Sequence, residues 1–343
     1  MKKINNTLYV TSKNAYLATE GNDVKVIIDK KCAGKVPLQN FEAIVTFGYA
    51  GISPGLMQKC LENRISVSFM SETGRLRGRV VGKPYGNVYL RKTQYGASIE
   101  PVLALQIASN FILGKIYNQR WIIERLTRDH GMQINVEKFK DVSSKLKLGL
   151  DAIESTDSVD KLRGIEGNLA TEYFAIFDDM IINQKETFYY HGRNRRPPMD
   201  NVNALLSFAY SLLAAECSAA LTSNGLDSYV GFMHVDRSGR ESLALDLMEE
   251  LRGVVADRFV LSLINKKMIS EKDFEQKADG AVLLSESARK KFLSEWQKNK
   301  MKELMHPYLK EKIQWGLVPF IQSQLLARFL RGDIDEYPPF LWK

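Results

Sequence analysis

The feature of this chain that most constrains its fold is a change of hydrophobic periodicity along the sequence. From Thr7 to about Val81, short runs rich in β-branched and aromatic residues alternate with glycine-containing turns, which is typical of β-strands. From about Ala97 onward, apolar residues recur every three or four positions, which indicates amphipathic helices. The sequence therefore predicts an α+β protein in which a small β-rich N-terminal domain precedes a larger, mostly α-helical C-terminal domain.

The β-type region divides into six predicted strands with one helix inserted among them. The helix is predicted over Pro54 to Glu62, and the strands over Thr7–Val10, Ala15–Ala18, Val24–Ile28, Ala43–Phe47, Ile65–Phe69 and Leu76–Val81. A basic, glycine-rich connector begins at Gly82. We expect a β-rich domain over residues 1–81, a linker over 82–96 and a helical domain over 97–343, since a chain of 343 residues usually forms more than one core.

The charge of the chain is basic and unevenly distributed. The net charge is +8, and residues 1–95 hold 15 Lys and Arg against 6 Asp and Glu, so the remaining residues are close to neutral. A basic surplus favours polyanionic partners, nucleic acid first, because each phosphate contact releases condensed counterions. A solvated surface that is merely basic would give the same count. Charge therefore favours DNA as a partner without proving it.

The sequence predicts a cytoplasmic location without a membrane role. The N-terminus is polar where a signal peptide would need an apolar stretch. Residues Ala204 to Leu221 are the most apolar segment, but Ser207, Ser211 and Glu216 interrupt it, which favours a buried core helix. The three cysteines, Cys32, Cys60 and Cys217, are widely separated, and we interpret them as reduced core residues.

A carboxylate lies beside the buried face of one predicted helix. Over Asp160 to Met180 the apolar residues form one narrow stripe, and Glu166 lies only about 60° from its centre. Burying a carboxylate costs free energy unless it is paired or bound to a metal. The alternative is an edge glutamate whose side chain extends into solvent.

A histidine and an acidic helix follow later in the chain. His234 precedes a tight turn and is one of four histidines. The helix predicted over Ser242 to Asn265 carries Asp246, Glu249 and Glu250 at positions i, i+3 and i+4, so that three carboxylates share one face. Such like charges repel each other unless a cation or arginines compensate them.

The candidate residues together offer one nitrogen ligand and several oxygen ligands. They are Glu166, His234 and the acidic pair Asp246 and Glu249. This set suits Mg²⁺ or Mn²⁺ better than a structural zinc ion. A divalent ion in such a site would fit phosphodiester chemistry, because it can orient a phosphate and offset charge on the leaving oxygen. The spacing alone does not show that Glu166 meets His234.

Three groups of basic residues are candidates for DNA contact. Arginines at every second position of one strand share a face, and arginines on a proline-stiffened loop suit bidentate phosphate binding. The groups are Arg75, Arg77 and Arg79 on the strand; Arg193, Arg195 and Arg196 on the loop; and Lys290 and Lys291 within the run from Arg289 to Lys312. The loop arginines are favoured because they lie closest in sequence to the Glu166 helix. A subunit interface or a solvated helix face would also account for the other two groups.

The segment Gly51-Ile52-Ser53-Pro54-Gly55 matches the G-x-S-x-G pattern of serine hydrolases. Ser53 is also a natural N-cap with proline at the first helical position, which explains the segment without catalysis. A small β domain lacks the large parallel sheet that a nucleophile elbow requires. We therefore interpret Ser53 as a helix cap.

The chain resembles the CRISPR adaptation integrase family over nearly its whole length. Its histidine and acidic motifs are Gly231-Phe232-Met233-His234 and Ser242-Leu243-Ala244-Leu245-Asp246-Leu247-Met248-Glu249-Glu250-Leu251-Arg252. Other similar segments follow in the same order: Asn6 to Val10, Gly48 with Ile52 to Pro54, Gly74 to Leu76, Gly114 to Ile116 with Asn118 to Arg120, Asn203 to Ser207, and Phe274 to Val282.

The resemblance implies a metal-dependent DNA endonuclease and integrase that takes part in spacer acquisition and antiviral defence. Its metal ligands would be Glu166, His234 and Glu249, with Asp246 an auxiliary acidic residue of the same catalytic group. Relatives often have aspartate at the Glu249 position, which leaves the ligand geometry open. The implied reaction is attack by the 3′-hydroxyl of a captured DNA fragment on a phosphodiester at the CRISPR repeat boundary.

The same resemblance implies an assembly. The β-rich domain would mediate a homodimer, and two dimers would flank a dimer of a small partner subunit on double-stranded DNA. The alternative function is a non-catalytic basic DNA-binding protein in which the acidic cluster serves only in ion pairs with arginines such as Arg237, Arg240 and Arg252.

Overall fold

The computed structural model describes residues 6–12, 14–82, 88–194 and 197–343. The described residues form two compact units. The first combines the N-terminal segment up to residue 82 with Leu284–Glu303 and Gln314–Leu317, and the second contains the remaining residues from 88 onward. The predicted α+β class is confirmed, since mixed sheets in the N-terminal region precede a helical C-terminal part. The first unit also takes in two segments that the sequence analysis placed in the helical domain.

The N-terminal region holds two four-stranded sheets and one helix. The elements are β1 (Thr7–Val10), β2 (Ala15–Glu20), β3 (Asp23–Ile28), β4 (Lys31–Pro37), β5 (Ala43–Phe47), β6 (Gly51–Ile52), α1 (Pro54–Glu62), β7 (Ser66–Met70) and β8 (Leu76–Val80). One sheet has the order β1-β5-β7-β8, with the first three strands parallel and β8 antiparallel. The other has the order β4-β3-β2-β6. Buried residues such as Leu17, Ile44 and Leu56 form the core of the unit.

Two of these strands were not predicted from the sequence. The strand β4 lies at the edge of its sheet and is largely exposed, so its sequence lacks the apolar alternation of a half-buried strand. The strand β6 has only two residues. The expectation of three core cysteines was wrong for Cys32, which is exposed on β4, whereas Cys60 and Cys217 are buried.

Helices dominate the rest of the chain. They are α2 (Val88–Ile99), α3 (Pro101–His130), α4 (Val136–Glu154), α5 (Val159–Ala175), α6 (Asn201–Ser223), α7 (Ser242–Leu251), α8 (Arg258–Asn265), α9 (Glu286–Lys300) and α10 (Val318–Leu330). Two short ribbons complete the chain, β9 (Phe274–Gln276) with β10 (Val282–Leu284), and β11 (Glu303–Met305) with β12 (Lys312–Gln314). The helix α9 belongs to the first unit.

The second half of the expected linker is helical. Residues 83–87 lie outside the described residues, but residues 88–96 belong to α2. Leu90, Gln94 and Ala97 are its buried positions and share one face, and the Gln94 amide donates hydrogen bonds to the carbonyl oxygens of Asp227 and Val230. This helix was not predicted, because its buried face holds only one large apolar residue, Leu90, beside a glutamine and an alanine.

The predicted helix over Asp160 to Met180 is shorter than expected. The helix α5 ends at Ala175, and a 3₁₀ turn follows over Asp178–Met180. Phe174, Phe177 and Tyr190 pack together at this end, and Asp178 Oδ1 accepts a hydrogen bond from the backbone N–H of Tyr190. The aromatic contacts and the hydrogen bond favour a chain reversal over continued helix.

The apolar helix α6 is a buried element of the second unit. By length and composition it is long enough to cross a membrane, but 67% of its most apolar window is buried inside the protein. It packs against α7 and α10. Its burial agrees with the core helix expected from the sequence.

The helix predicted over Ser242 to Asn265 is continuous but changes its winding. Between α7 and α8, the six residues Arg252–Asp257 adopt a π-helical conformation. Such wide turns within α-helices frequently occur at functional sites. The π-helical segment of this protein begins three residues after Glu249.

A buried histidine joins the segment after β11 to α10. The His306 side chain is fully buried; its Nδ1 atom accepts a hydrogen bond from Leu309 N, and Nε2 lies 3.2 Å from Gln322 Oε1. Because Nδ1 is an acceptor, the proton of the neutral ring is on Nε2 and is donated to Gln322. Burial lowers the pKa of His306 to about 4, although the Gln322 hydrogen bond opposes that shift.

We expect His306 to make the protein sensitive to acid. Its pKa falls from 6.5 in the unfolded chain to about 4 in the folded chain, so the unfolded state binds the proton first as pH decreases. The associated stability is present above pH 6.5 and is lost as pH falls toward 4, by up to about 3 kcal/mol. Denaturant unfolding at pH 7 and at pH 4.5 should therefore show a smaller pH dependence for His306→Gln than for the unchanged protein. His191→Gln, at an exposed position, is the control, and equal pH dependence in all three proteins would contradict the assignment.

Candidate active site

The candidate site is built where α3 packs against α5 and α7. A glycine on α3 makes the approach to α7 possible, because a Cβ atom at Gly114 would lie 2.9 Å from the Cβ atom of Glu250. Real Cβ atoms essentially never come this close, so a larger residue would force the helices apart. The close contact places the next residue, Lys115, among the acidic side chains of the neighbouring helices.

Lys115 forms ion pairs with two of the predicted site residues. Its ammonium group contacts Glu166 Oε1 on α5 and lies 2.6 Å from Glu249 Oε2 on α7. The lysine side chain is 2% exposed, and those of Glu166 and Glu249 are 20% and 7% exposed. The structure thus brings Glu166 and Glu249 together through a buried cation.

The Glu249 carboxylate is stabilised in its charged form. Burial alone would raise its pKa, but the charges of Lys115 and Arg252 outweigh that effect and lower the pKa to about 2. Arg252 Nη1 lies 3.2 Å from Glu249 Oε1 and donates a hydrogen bond to it. The two oxygens of the buried Glu249 carboxylate thus have different cationic partners, Lys115 at Oε2 and Arg252 at Oε1.

His234 is held in position by Asp246. The Asp246 carboxylate is fully buried and accepts hydrogen bonds from the backbone N–H groups of Phe232, Met233 and His234 at 2.7 to 3.0 Å. His234 Nδ1 lies 2.6 Å from Asp246 Oδ1. A carboxylate that accepts three backbone N–H groups is charged, so we assign the Nδ1 proton to the histidine, which leaves Nε2 as an acceptor.

The loop that carries His234 is also tied to α5. The Arg163 guanidinium donates hydrogen bonds to the carbonyl oxygen of Met233, from Nε at 2.8 Å and from Nη2. Arg163 lies one helical turn before Glu166, so the same helix supplies one acidic residue and anchors the histidine loop.

The three carboxylates predicted to share one face of α7 occupy three different environments. Asp246 faces the His234 loop, and Glu249 faces Lys115 and Arg252. Glu250 faces the C-terminal segment instead, where it accepts hydrogen bonds from Tyr337, from Phe340 N at 2.9 Å and from Gln322 Nε2 at 3.2 Å. Burial raises the pKa of Glu250 to about 7 despite these donors. Glu250 therefore supports the fold and lies outside the candidate site.

The donor set of the site agrees with a divalent ion, although its side chains are not arranged around one. Among the described residues, no three His, Cys, Asp or Glu side chains lie close enough together to hold a metal ion. Lys115 lies between the two glutamates, and Asp246 is already occupied by four hydrogen-bond donors. The groups that remain are the Glu166 carboxylate, Glu249 Oε2 and the Nε2 atom of His234, oxygen and nitrogen donors that suit Mg²⁺ or Mn²⁺.

The arginine loop is arranged differently from the DNA contact that we expected. The Arg193 guanidinium donates hydrogen bonds to Asn194 O, Asn203 Oδ1 and Ser207 Oγ, at 2.6 to 3.1 Å. These bonds fix the loop to the first turns of α6, and phosphate binding by Arg193 stays a prediction. Arg195 and Arg196 lie outside the described residues.

The other basic candidates lie in the first unit. Arg75 and Arg77 are exposed, and the Arg77 guanidinium stacks over the exposed ring of Tyr49 at 4.6 Å. Arg79 is half-buried, and Lys290 forms an ion pair with Glu286 at 2.9 Å. Lys291 is exposed on α9. Arg75, Arg77 and Lys291 therefore have the most accessible charges of the predicted set.

Ser53 has the structural role expected of a helix cap. Its side chain accepts a hydrogen bond from Leu56 N at 3.2 Å, with Pro54 at the first position of α1. The preceding strand, β6, belongs to a small mixed sheet. This geometry favours the cap over a hydrolase nucleophile.

Two charged residues of the site, Lys115 and Arg163, were missed from the sequence, whereas Arg252 was named there as an ion-pair partner of the acidic cluster and does pair with Glu249. One signal was available for the first: Lys115 lies between Ile112 and Ile116 within the buried face of α3. A lysine on such a face requires a buried anionic partner. The partners themselves lie 51 and 134 residues further along the chain, beyond the reach of local patterns.

The His234 loop should not tolerate a side chain at Gly231. A Cβ atom there would lie 2.7 Å from Asp246 Oδ2 and 3.0 Å from the backbone carbon of Ser242. We expect Gly231→Ala to lower the free energy of unfolding by about 1–3 kcal/mol, the usual cost of overpacking.

The matched control is Gly96→Ala on the exposed face of α2, where an added Cβ meets nothing within 4 Å. That change should stabilise the helix by about 1 kcal/mol or less. Denaturant unfolding of the two variants measures the difference. Equal stability of Gly231→Ala and the unchanged protein would show that the loop has room to move.

Comparison with known proteins identifies the family. The family model described as CRISPR associated protein Cas1 matches residues 8–298. A CRISPR-associated endonuclease Cas1 from Rhodospirillum rubrum is 45% identical over 347 residues, and one from Chlorobaculum tepidum is 41% identical over 343 residues; each comparison covers 100% of both chains.

Solved structures share the fold at low sequence identity. A casposase bound to integration product superposes with a TM-score of 0.83 at 23% identity, covering 98% of this chain and 93% of that one. A Cas1 protein from Thermotoga maritima gives a TM-score of 0.79 at 22% identity, covering 95% and 97%. The family match and the full-length relatives together show that this chain belongs to the Cas1 family of CRISPR-associated proteins.

Proposed function

We propose that this protein is a divalent-metal-dependent DNA endonuclease and integrase that inserts short DNA fragments as new spacers into a CRISPR array. The observation that carries the proposal is the convergence of Glu166, Glu249 and the His234 loop, from three separate parts of the chain, on Lys115 and Arg163. Relatives named CRISPR-associated endonucleases, 45% and 41% identical over the full chain, support a nuclease activity.

Glu166, His234 and Glu249 would hold the ion. Their donor atoms would be carboxylate oxygens and the His234 Nε2 atom, whose acceptor state is set by the hydrogen bond from Nδ1 to Asp246. When bound, Mg²⁺ or Mn²⁺ would polarise the scissile phosphate and lower the pKa of the attacking hydroxyl.

The remaining residues of the site prepare it for a phosphodiester substrate. Asp246 and Arg163 fix the position of His234 from two sides, by the Nδ1 contact at 2.6 Å and through the carbonyl oxygen of Met233. Lys115 and Arg252 supply two positive charges beside the glutamates, where a phosphate group would bring negative charge. In this proposal the 3′-hydroxyl of the fragment displaces the leaving oxygen of the repeat DNA, and water replaces that hydroxyl in cleavage.

The partners follow from the family and from structural relatives. Two relatives of the same fold are Cas6-RT-Cas1 complexes with Cas2, with TM-scores of 0.82 and 0.66. We propose that this chain acts in the cytoplasm as a homodimer formed through its β-rich domain. Two such dimers would flank a dimer of a small partner subunit on double-stranded DNA.

Replacing a proposed ligand tests the catalytic role. Glu166→Gln and His234→Ala should lower Mn²⁺-dependent cleavage and strand transfer by roughly 100-fold or more, since losing even an outer-shell partner of a metal costs up to that much. DNA affinity should be largely kept, because most of the proposed phosphate contacts are made by basic residues outside this ligand set. Glu172→Gln is the control, since Glu172 lies on the same helix and pairs with Lys145 at the surface. Full activity in Glu166→Gln and His234→Ala would contradict the ligand assignment, whereas the absence of cleavage and strand transfer in the unchanged protein would favour the non-catalytic DNA-binding protein.

The exposed arginines of the first unit test where DNA binds. If Arg75 and Arg77 bind phosphates, changing both to alanine should weaken binding regardless of DNA sequence. The slope of log affinity against log salt concentration should become shallower by about one unit for each phosphate that is no longer neutralised. Arg128→Ala is the control, because Arg128 pairs with its neighbour Asp129 on the surface of the second unit. Salt titrations that give an unchanged slope for the double variant would move the DNA path away from β8.

A further inference from the structure

Lys115 contacts two proposed metal ligands at once. Its ammonium group pairs with Glu166 Oε1 and with Glu249 Oε2, and its side chain is 2% exposed. The carboxylate oxygens that would bind a divalent ion are therefore already paired with the monovalent ammonium group of Lys115.

The charges of the cluster are balanced before any ion enters. Glu166 and Glu249 contribute two negative charges, and Lys115 and Arg252 contribute two positive ones. A divalent ion that joined this arrangement unchanged would lie within a few ångströms of the Lys115 ammonium in a poorly screened interior. Repulsion at such distances is large. One of the two resident cations must move when the ion binds.

Arg252 is the more firmly fixed of the two. It bonds to the other oxygen of Glu249, at 3.2 Å, and its guanidinium stacks 4.2 Å over the ring of Tyr210. Lys115 has a flexible four-carbon stem and a single point charge, with no comparable stacking surface. Moving Lys115 frees an oxygen on both glutamates at once.

We propose that Lys115 is a positioning residue that holds the two glutamates together in the metal-free protein and is displaced when the divalent ion binds. This inference rests on the proposed metal-dependent function. In the metal-free state, Lys115 prevents the two buried carboxylates from repelling each other. It therefore lowers the affinity for the ion and stabilises the site without it.

The decisive variant is Lys115→Met, which keeps most of the length of the side chain and removes its charge. Calorimetric titration with Mn²⁺, in the absence of DNA, should show binding about tenfold or more tighter than in the unchanged protein, because the competing charge is gone. The metal-free variant should melt at a lower temperature, and saturating Mn²⁺ should raise its Tm by more than it raises that of the unchanged protein. Lys145→Met, which removes a surface ion pair with Glu172, is the matched control and should change neither quantity.

The outcomes separate this inference from the function on which it rests. Equal or weaker Mn²⁺ affinity in Lys115→Met, with binding intact in the unchanged protein, would overturn the role of Lys115 and leave metal dependence standing. The absence of Mn²⁺ binding in both proteins would overturn the metal site and this inference together. Lys115→Arg keeps the charge, and we expect it to retain the weaker affinity.

A measurement on the unchanged protein covers the case in which Lys115→Met does not fold. Acetylation by an amine-reactive ester, followed by peptide mass spectrometry, reports how accessible each lysine is. Lys115 should react slowly in metal-free protein and several times faster with saturating Mn²⁺, whereas Lys145 should react equally in both. A Lys115 rate that Mn²⁺ leaves unchanged or lowers would contradict displacement.

Discussion

The candidate site depends on the buried ion pairs between Lys115 and the two glutamates of α5 and α7. A buried charge is costly to desolvate, and a pair recovers that cost only if both partners are present with good geometry. Removing one partner typically costs about 3–5 kcal/mol, because the other is left uncompensated. The close packing of α3 against α7 at Gly114 is what delivers Lys115 to these carboxylates. The same contacts therefore secure the helix packing and assemble the acidic residues.

Much of the fold could be predicted from the periodicity of apolar residues. For the site, the sequence predicted which residues belong to it but not how they are arranged in space. The α+β order, the helix after Ser53 and the long helix from Ser242 follow from local patterns of apolar residues and caps. The arrangement around Glu249 does not, because its partners come from α3 and from the π-helical segment. The surroundings of Arg193 could not be predicted for a related reason. Its charge is visible in the sequence, but its hydrogen bonds to Asn203 and Ser207 are not.

The two halves of the site are stabilised by different physical means. The glutamates are balanced by side-chain cations, whose arrangement can change when another cation arrives. His234 is instead fixed by Asp246, which holds three consecutive backbone N–H groups, and Gly231 leaves no room for the loop to shift toward that carboxylate. Backbone hydrogen bonds of this kind define a loop more rigidly than long side chains can. The site thus combines a fixed nitrogen donor with an adaptable pair of oxygen donors.

The π-helical segment explains why Arg252 is held so firmly beside Glu249. In an ordinary α-helix, at 3.6 residues per turn, Arg252 and Asp257 would point about 140° apart. The wider i→i+5 winding brings residues five apart close to the same face. Tyr210 on α6 can therefore contact both residues. Its ring lies under the Arg252 guanidinium, and its hydroxyl donates a hydrogen bond to Asp257 Oδ1. One buried tyrosine thereby contacts both ends of the π segment. The local cost of the irregular winding is offset by a fixed cation at the Glu249 carboxylate, which leaves Lys115 as the more mobile of the two.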